Sequence, residues 1–233
     1  EKICIRCGHC VAVCPEAALA LDYMAPEDCM TIEHDLQPST EQVVHFLRSR
    51  RSIRTYRKKE VGRNLLEEIV SLASAAPTGS NRQGVQWKNV NEKEDVRADT
   101  NQVIAWMHYM VKNHPDVATS FNMEFLIKAW EDGADRICRD APHLVFAYTT
   151  NDIGSGKADC DTAIAYLELA LPSFGLGSCW AGYVTYAVSQ WQPLQKFLGI
   201  TENEQVHGAV MLGHPKYRYQ RIPARNKATI TYI

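Results

Sequence analysis

Arg50-Arg51-Ser52-Ile53-Arg54 stands where one helix pattern ends and the chain enters a long region of mixed pattern. Upstream, Ser39 and Gln42 have the spacing of a capping box, so a helix is predicted to begin at Ser39 or Thr40. Val43, Val44, Phe46 and Leu47 share one side of it. Arginines closing a helix commonly do no more than complement its dipole. The downstream chain gives them a second use. Ala76-Pro77-Thr78-Gly79-Ser80-Asn81 is succeeded by Gln83 and Trp87, and later come Gly175-Leu176-Gly177-Ser178-Cys179-Trp180-Ala181-Gly182 and Gly213-His214-Pro215-Lys216.

Between these stretches, helical and strand patterns interleave. Residues 64–75 read as a helix burying Leu65, Leu66, Ile69, Val70 and Leu72, stopped by Pro77. Further helices are predicted over 103–112, 124–130 and 159–171, with strands over 143–149 and 206–212. The tail 216–233 mixes basic residues with β-formers and is suited to extend and pair elsewhere. This is the pattern of an α+β domain. Pro38 marks a linker, giving a small segment 1–37 and a main domain 38–233.

With 233 residues and 45% hydrophobic content, the chain can build one sizeable core and a small appended module. A formal net charge of −2 with interspersed signs points to no nucleic-acid partner. The long uncharged run 169–195 is interrupted by Pro172, Gly175, Gly177, Gly182 and Pro193, so it reads as a buried helix end with a loop or strand, not a membrane span. No signal peptide is seen, and because the chain opens inside a motif without an initiating Met, upstream sequence is expected to be missing. No dinucleotide fingerprint or P-loop occurs, and no His pairs with a Ser or Cys in a triad-like motif.

Of eight cysteines, four fall in one run: Cys4, Cys7, Cys10 and Cys14, followed by Pro15. C-x2-C-x2-C-x3-C-P is the spacing of bacterial ferredoxins, in which the fourth cysteine ligates the other of two clusters. Zinc sites instead pair two C-x2-C hooks across a longer insert. Gly8 lets backbone approach the inorganic core. The run predicts a [4Fe–4S] cluster, incomplete here unless an upstream cysteine run, Cys14 or Cys29 supplies the missing ligand. A cysteine cluster beside a large ordinary domain favours a reducing, cytoplasmic setting. Cys138, Cys160 and Cys179 read as buried small hydrophobes.

Taken in order, the motifs over about residues 40–225 resemble the nitroreductase family, and the leading cysteine run resembles its ferredoxin-fused branch. The resemblance implies an FMN-binding fold with a central mixed or antiparallel sheet flanked by helices. It implies that Arg50 and Ser52 hold the FMN phosphate, that Arg51 lines the same end, and that Arg54 sits near the pyrimidine edge of the ring. Guanidinium groups suit bidentate phosphate contact. Asn81, within Pro77, Thr78 and Gln83, would bond the ring edge; Trp180, Ala181 and Gly182 would face it near N5. Among Lys216, Arg218 and Arg221 at least one, Arg221 by preference, would reach the phosphate. The resemblance also implies a homodimer with FMN at its interface.

One departure stands out. After Asn81 the family pattern runs Ser-Gln-Pro into an apolar, aromatic-rich strand, whereas here it is Arg82-Gln83-Gly84-Val85-Gln86-Trp87-Lys88-Asn89. That puts the strand's burial and the loop's shape at issue. The expected reaction passes electrons from the iron–sulfur segment, or from NAD(P)H, to FMN and on to a small oxidised acceptor such as a nitroaromatic or quinone. No side chain is expected to act as a nucleophile. An electron carrier or sensor without active flavin is the non-enzymatic rival.

Overall fold

The computed structural model describes residues 4–233; residues 1–3, which fall in the iron–sulfur segment expected from the sequence, lie outside the described residues. A four-stranded antiparallel sheet forms the middle layer, in the order β1-β2-β4-β3. Its strands are β1 (Gln86–Val90), β2 (His143–Thr150), β3 (Gly177–Trp180) and β4 (Glu204–Gly213). Strand β2 pairs β4 from His143↔Leu212 to Thr150↔Glu204, with an irregularity between Ala147 and Tyr148.

Helices cover both faces. Leu144, Phe146 and Tyr148 of β2 join a core with α4 (Lys93–Asn113), α5 (Pro115–Ser120), α6 (Met123–Glu131) and α8 (Gly182–Val188), while Val145 and Ala147 pack against α3 (Arg63–Ala73) and α7 (Gly156–Ala170). Burial on both faces is why β2 reads as an unbroken apolar run instead of an alternating one. Strand β1 is an edge strand, and its residues are half-buried or exposed. Lys88 can be polar because it turns away from the deep core, with Nζ donating to the Gly199 carbonyl at 3.0 Å.

The helix α2 (Thr40–Ser49) opens with the expected box: Ser39 Oγ accepts from Gln42 N at 3.2 Å, and Gln42 Oε1 accepts from Ser39 N at 2.8 Å. Its Val43, Val44 and Leu47 are exposed. The helix expected over 103–112 begins ten residues earlier. Its first turns carry few large apolar residues, yet Val96, Asp99 and Thr100 are buried there, so tertiary packing extended it. The run 169–195 resolves into a helix end, a short strand β3, α8 and α9 (Gln192–Phe197).

Segment 4–36 is built differently. It holds one short helix, α1 (His9–Ala12), 3-10 turns at Pro26–Asp28 and His34–Leu36, and a bridge between Leu21 and Met24. Gly8 and Val11 are its buried residues. At the other end of the chain, residues 216–233 are exposed and carry no regular element.

Candidate active site

The run after α2 is laced into the end of the sheet. Ile53 N donates to the Ser178 carbonyl at 2.8 Å, Arg57 N to His214 O at 2.9 Å, and Lys216 N to Thr55 O at 3.0 Å. Tyr56 bridges to Pro215, and its hydroxyl donates to Ile53 O at 2.6 Å. A Cβ on Gly177 would lie 2.3 Å from Ile53 Cγ1, so only glycine lets the two segments approach this closely. The arginine run and the 213–218 run, far apart in sequence, are thereby fixed side by side.

They enclose a cavity of about 500 Å³ lined by Arg50, Arg51, Arg57, Arg218, Glu168 and Ser178, among others. Arg50 Nη1 lies 3.7 Å from Glu168 Oε1, which also accepts from Ser178 Oγ at 2.9 Å. Arg51 Nη2 donates to Arg48 O at 2.8 Å, while its Nε is buried without a partner. A buried donor left without an acceptor costs free energy. With several guanidinium groups around it, the basin fits an anion of phosphate type.

The other expected residues fall into separate places. Ser52 and Arg54 sit by Cys179, whose thiol is pushed up by burial and held back by the Arg54 and Arg139 charges. Thr78 and Gln83 line a second cavity of about 240 Å³ with Val85 and Trp87, and Pro77 lies exposed at the start of that loop. Trp180 and Gly182 edge a third, of about 320 Å³, with Lys157, Tyr186 and His207; Ala181 is buried. A Cβ on Gly182 would meet nothing of this chain. Asn81 Nδ2 donates to Arg6 O at 2.9 Å. Of the three basic tail residues, Arg218 lines the basin, Lys216 contributes its backbone, and Arg221 lies exposed on the tail. Within one chain, then, the basin, the 77–83 loop and the 180–182 turn line separate cavities.

Glu168 and Arg57 lie outside the motifs of the sequence, and Ser178 enters them only within the Gly175–Gly182 stretch. Glu168 had a signal, being a lone acid near the end of a strongly apolar helix. Arg57 had none, since its place depends on the pairing with 214–215. The buried Cys138, Cys160 and Cys179 have raised thiols, that of Cys160 to about 12, chiefly through burial. This makes them inert packing residues, in line with the sequence expectation.

In the cysteine run, every thiol is free. Among the described residues, no three His, Cys, Asp or Glu side chains are gathered to hold a metal ion. The donors nonetheless suit sulfur ligation. Ala18 N lies 3.4 Å from Cys14 Sγ, and this amide, with those of Glu16, Leu19 and Ala17, holds the thiol below its ordinary value. The thiolate is the form that binds metal. Gly8 adopts φ 73, and a Cβ there would lie 2.7 Å from the Met24 sulfur. Tyr23 has a buried hydroxyl without a partner; burial raises it, and the neighbouring Cys4, Cys10 and Cys7 raise it further.

The antiparallel sheet, covered on both faces, carries at its edge an arginine-lined basin whose charge suits an anion. The nitroreductase family model matches residues 47–214, and the chain belongs to that family and with it to the flavin-dependent oxidoreductases. A putative NADH dehydrogenase/NAD(P)H nitroreductase of Archaeoglobus fulgidus is 28% identical over 176 residues, 76% of this chain and 87% of the relative. Among solved structures, the FMN-bound nitroreductase of Bacteroides fragilis superposes with a TM-score of 0.66 at 22% identity, over 83% of this chain and all of that one. A nitroreductase of Desulfitobacterium hafniense with bound FMN gives 0.64 at 24% identity, over 82% and 97%.

Proposed function

We propose that the chain is an FMN-dependent reductase of small oxidised compounds, nitroaromatics or quinones by class, with a [4Fe–4S] segment at its N-terminus. The observation that carries this reading is the arginine basin, above all the buried, partnerless Nε of Arg51. Arg50, Arg51 and Arg218 would hold the phosphate. Ser52, next in the chain after Arg51, would join them. Arg54, a fixed positive charge near the ring's pyrimidine edge, would favour the reduced, anionic form. Bound FMN supplies the two-electron chemistry, and the side chains supply position and charge. The cysteine run would hold a cluster that carries single electrons, Cys14 reaching toward a second one.

A homodimer accounts for the dispersal of the expected contacts. A second copy would bring its own loop 77–83 or turn 180–182 to the basin. The exposed apolar side of α2 and the extended tail, with Tyr217, Tyr219 and Tyr232 exposed, offer the surface for that copy. Exposed apolar surface of this kind marks interaction sites. Among the described residues, no helix is long and apolar enough to cross a membrane. A reducing, cytoplasmic setting suits the free thiols.

Anaerobically purified protein should show flavin absorption bands and a broad iron–sulfur absorbance. A colourless protein contradicts the reading. The name of the Archaeoglobus relative favours a second electron route, direct reduction by NAD(P)H. Stopped-flow mixing with NAD(P)H, using a chain whose cluster has been removed, decides it. Full-rate flavin reduction selects the nicotinamide route, and loss of reduction selects entry through the cysteine segment.

A further inference from the structure

We infer that the loop 78–83 is the seat on which the cysteine-bearing segment docks, and that the Asn81 amide is the clasp. The docking rests on contacts within the chain, and it draws on the proposed function only for what the segment carries.

Arg6 lies between Cys4 and Cys7 and holds a left-handed backbone, φ 56. Residues with a Cβ adopt that conformation uncommonly. Its side chain anchors it: the guanidinium lies 3.7 Å from the centre of the Tyr23 ring and 3.6 Å from Asp22 Oδ2. The carbonyl thus presented accepts from Asn81 Nδ2 at 2.9 Å.

The other partner is strained as well. Ser80, Asn81 and Gln83 have φ of 52, 54 and 50. Gln83 N donates to Thr78 Oγ1 at 2.9 Å, Asn81 N to Thr78 O at 3.0 Å and Gly79 N to Asp159 Oδ1 at 2.9 Å, and Ser155 Oγ in turn donates to Asp159 Oδ2 at 2.8 Å. Asp159 is buried in the first turn of α7. A Cβ on Gly79 would lie 2.5 Å from Ser155 Oγ, so the loop presses against that helix start. The seat is therefore tied to the start of α7.

Strained backbone on both sides of one hydrogen bond, in parts of the chain remote in sequence, is what a functional contact leaves behind. Among the described residues, the Asn81–Arg6 bond is the one hydrogen bond that joins segment 4–36 to the main domain. Asn81 is a positioning residue for the thiols.

Hydrogen–deuterium exchange on the intact chain, as purified, tests this. Two variants are compared with the wild type. Asn81→Asp removes the donor, and Asn81→Gly removes the side chain while tolerating the left-handed backbone. Both should speed exchange in peptides covering 4–12 and 78–84 about three- to tenfold, the effect of one ordinary hydrogen bond on local opening. Peptides from β2 and β4 should be unchanged, which also shows that the variant has folded. If one variant fails that control, the other decides. Wild-type exchange in both segments, in a folded variant, overturns the inference. Iron and flavin content measured on the same samples fail separately, and their failure would count against the proposed function alone.

Discussion

The main domain and the cysteine segment are held by different physics. The main domain buries a continuous apolar network on both faces of a sheet, with Trp106, Phe146, Leu144 and Met211 at or near zero exposure. Segment 4–36 buries Gly8 and Val11 and is shaped by turns, by Arg6 and Ala17 in left-handed backbone, and by polar contacts around Tyr23. A piece so short cannot build a core sufficient for its own stability, and such modules are normally completed by disulfides or metal. The strongest motif in the sequence sits in the region with the least packing, and the diffuse motif in the region with the most.

The contrast breaks if core truncations cost the same in both regions. Phe146→Ala should destabilise the chain by about 3–5 kcal/mol in denaturant unfolding. Val11→Ala should leave that main transition within about 0.5 kcal/mol. A comparable loss from both would mean that the segment is integral to the core.

A pH effect sharpens the picture of the main domain. Asp99 is fully buried, its carboxylate oxygens have no partner, and burial, with Asp95 adding, pushes it up to about 7. The folded chain then holds this proton more tightly than the unfolded chain. Stability should be full below about pH 4 for this group, fall as pH rises to about 7, and level off above it, by an amount on the order of a few kcal/mol. Asp99→Asn should remove that slope and raise the melting temperature at about pH 8. An unchanged slope would show that Asp99 is solvated.

Two predictions probe the basin. Arg218→Ala should weaken FMN binding about ten- to a hundredfold, the range for a charge-assisted hydrogen bond, and Arg221→Ala should leave it nearly intact. Flavin titration of the apoprotein, followed by fluorescence, separates them. Equal effects would mean that the tail rearranges on binding. The smallest effect expected is that of Ser39→Ala, about 1 kcal/mol through loss of the cap on α2.

Legibility followed the same division. The interleaved helices and strands could be read because apolar periodicity reports burial directly, and the Ser39 box and strand 143–149 lie where the pattern puts them. The start of α4 could not be read, because residues 93–102 offer only Val96 as a large apolar residue and so show no apolar period. The arginine run was visible, but its partners were not. Glu168 and Arg57 reach the basin only through pairings between residues more than a hundred positions apart. The residues expected around the flavin ring line separate cavities, because spacing along one sequence does not report which loops the fold brings together.

Cofactor stoichiometry is the most direct test. FMN, iron and acid-labile sulfide are measured per chain on anaerobically purified wild type and on a chain with Cys4, Cys7, Cys10 and Cys14 changed to serine. Stoichiometric FMN is expected in both, with iron and sulfide in the wild type alone. Wild type without FMN, or iron and sulfide retained without the four cysteines, would contradict the proposed function.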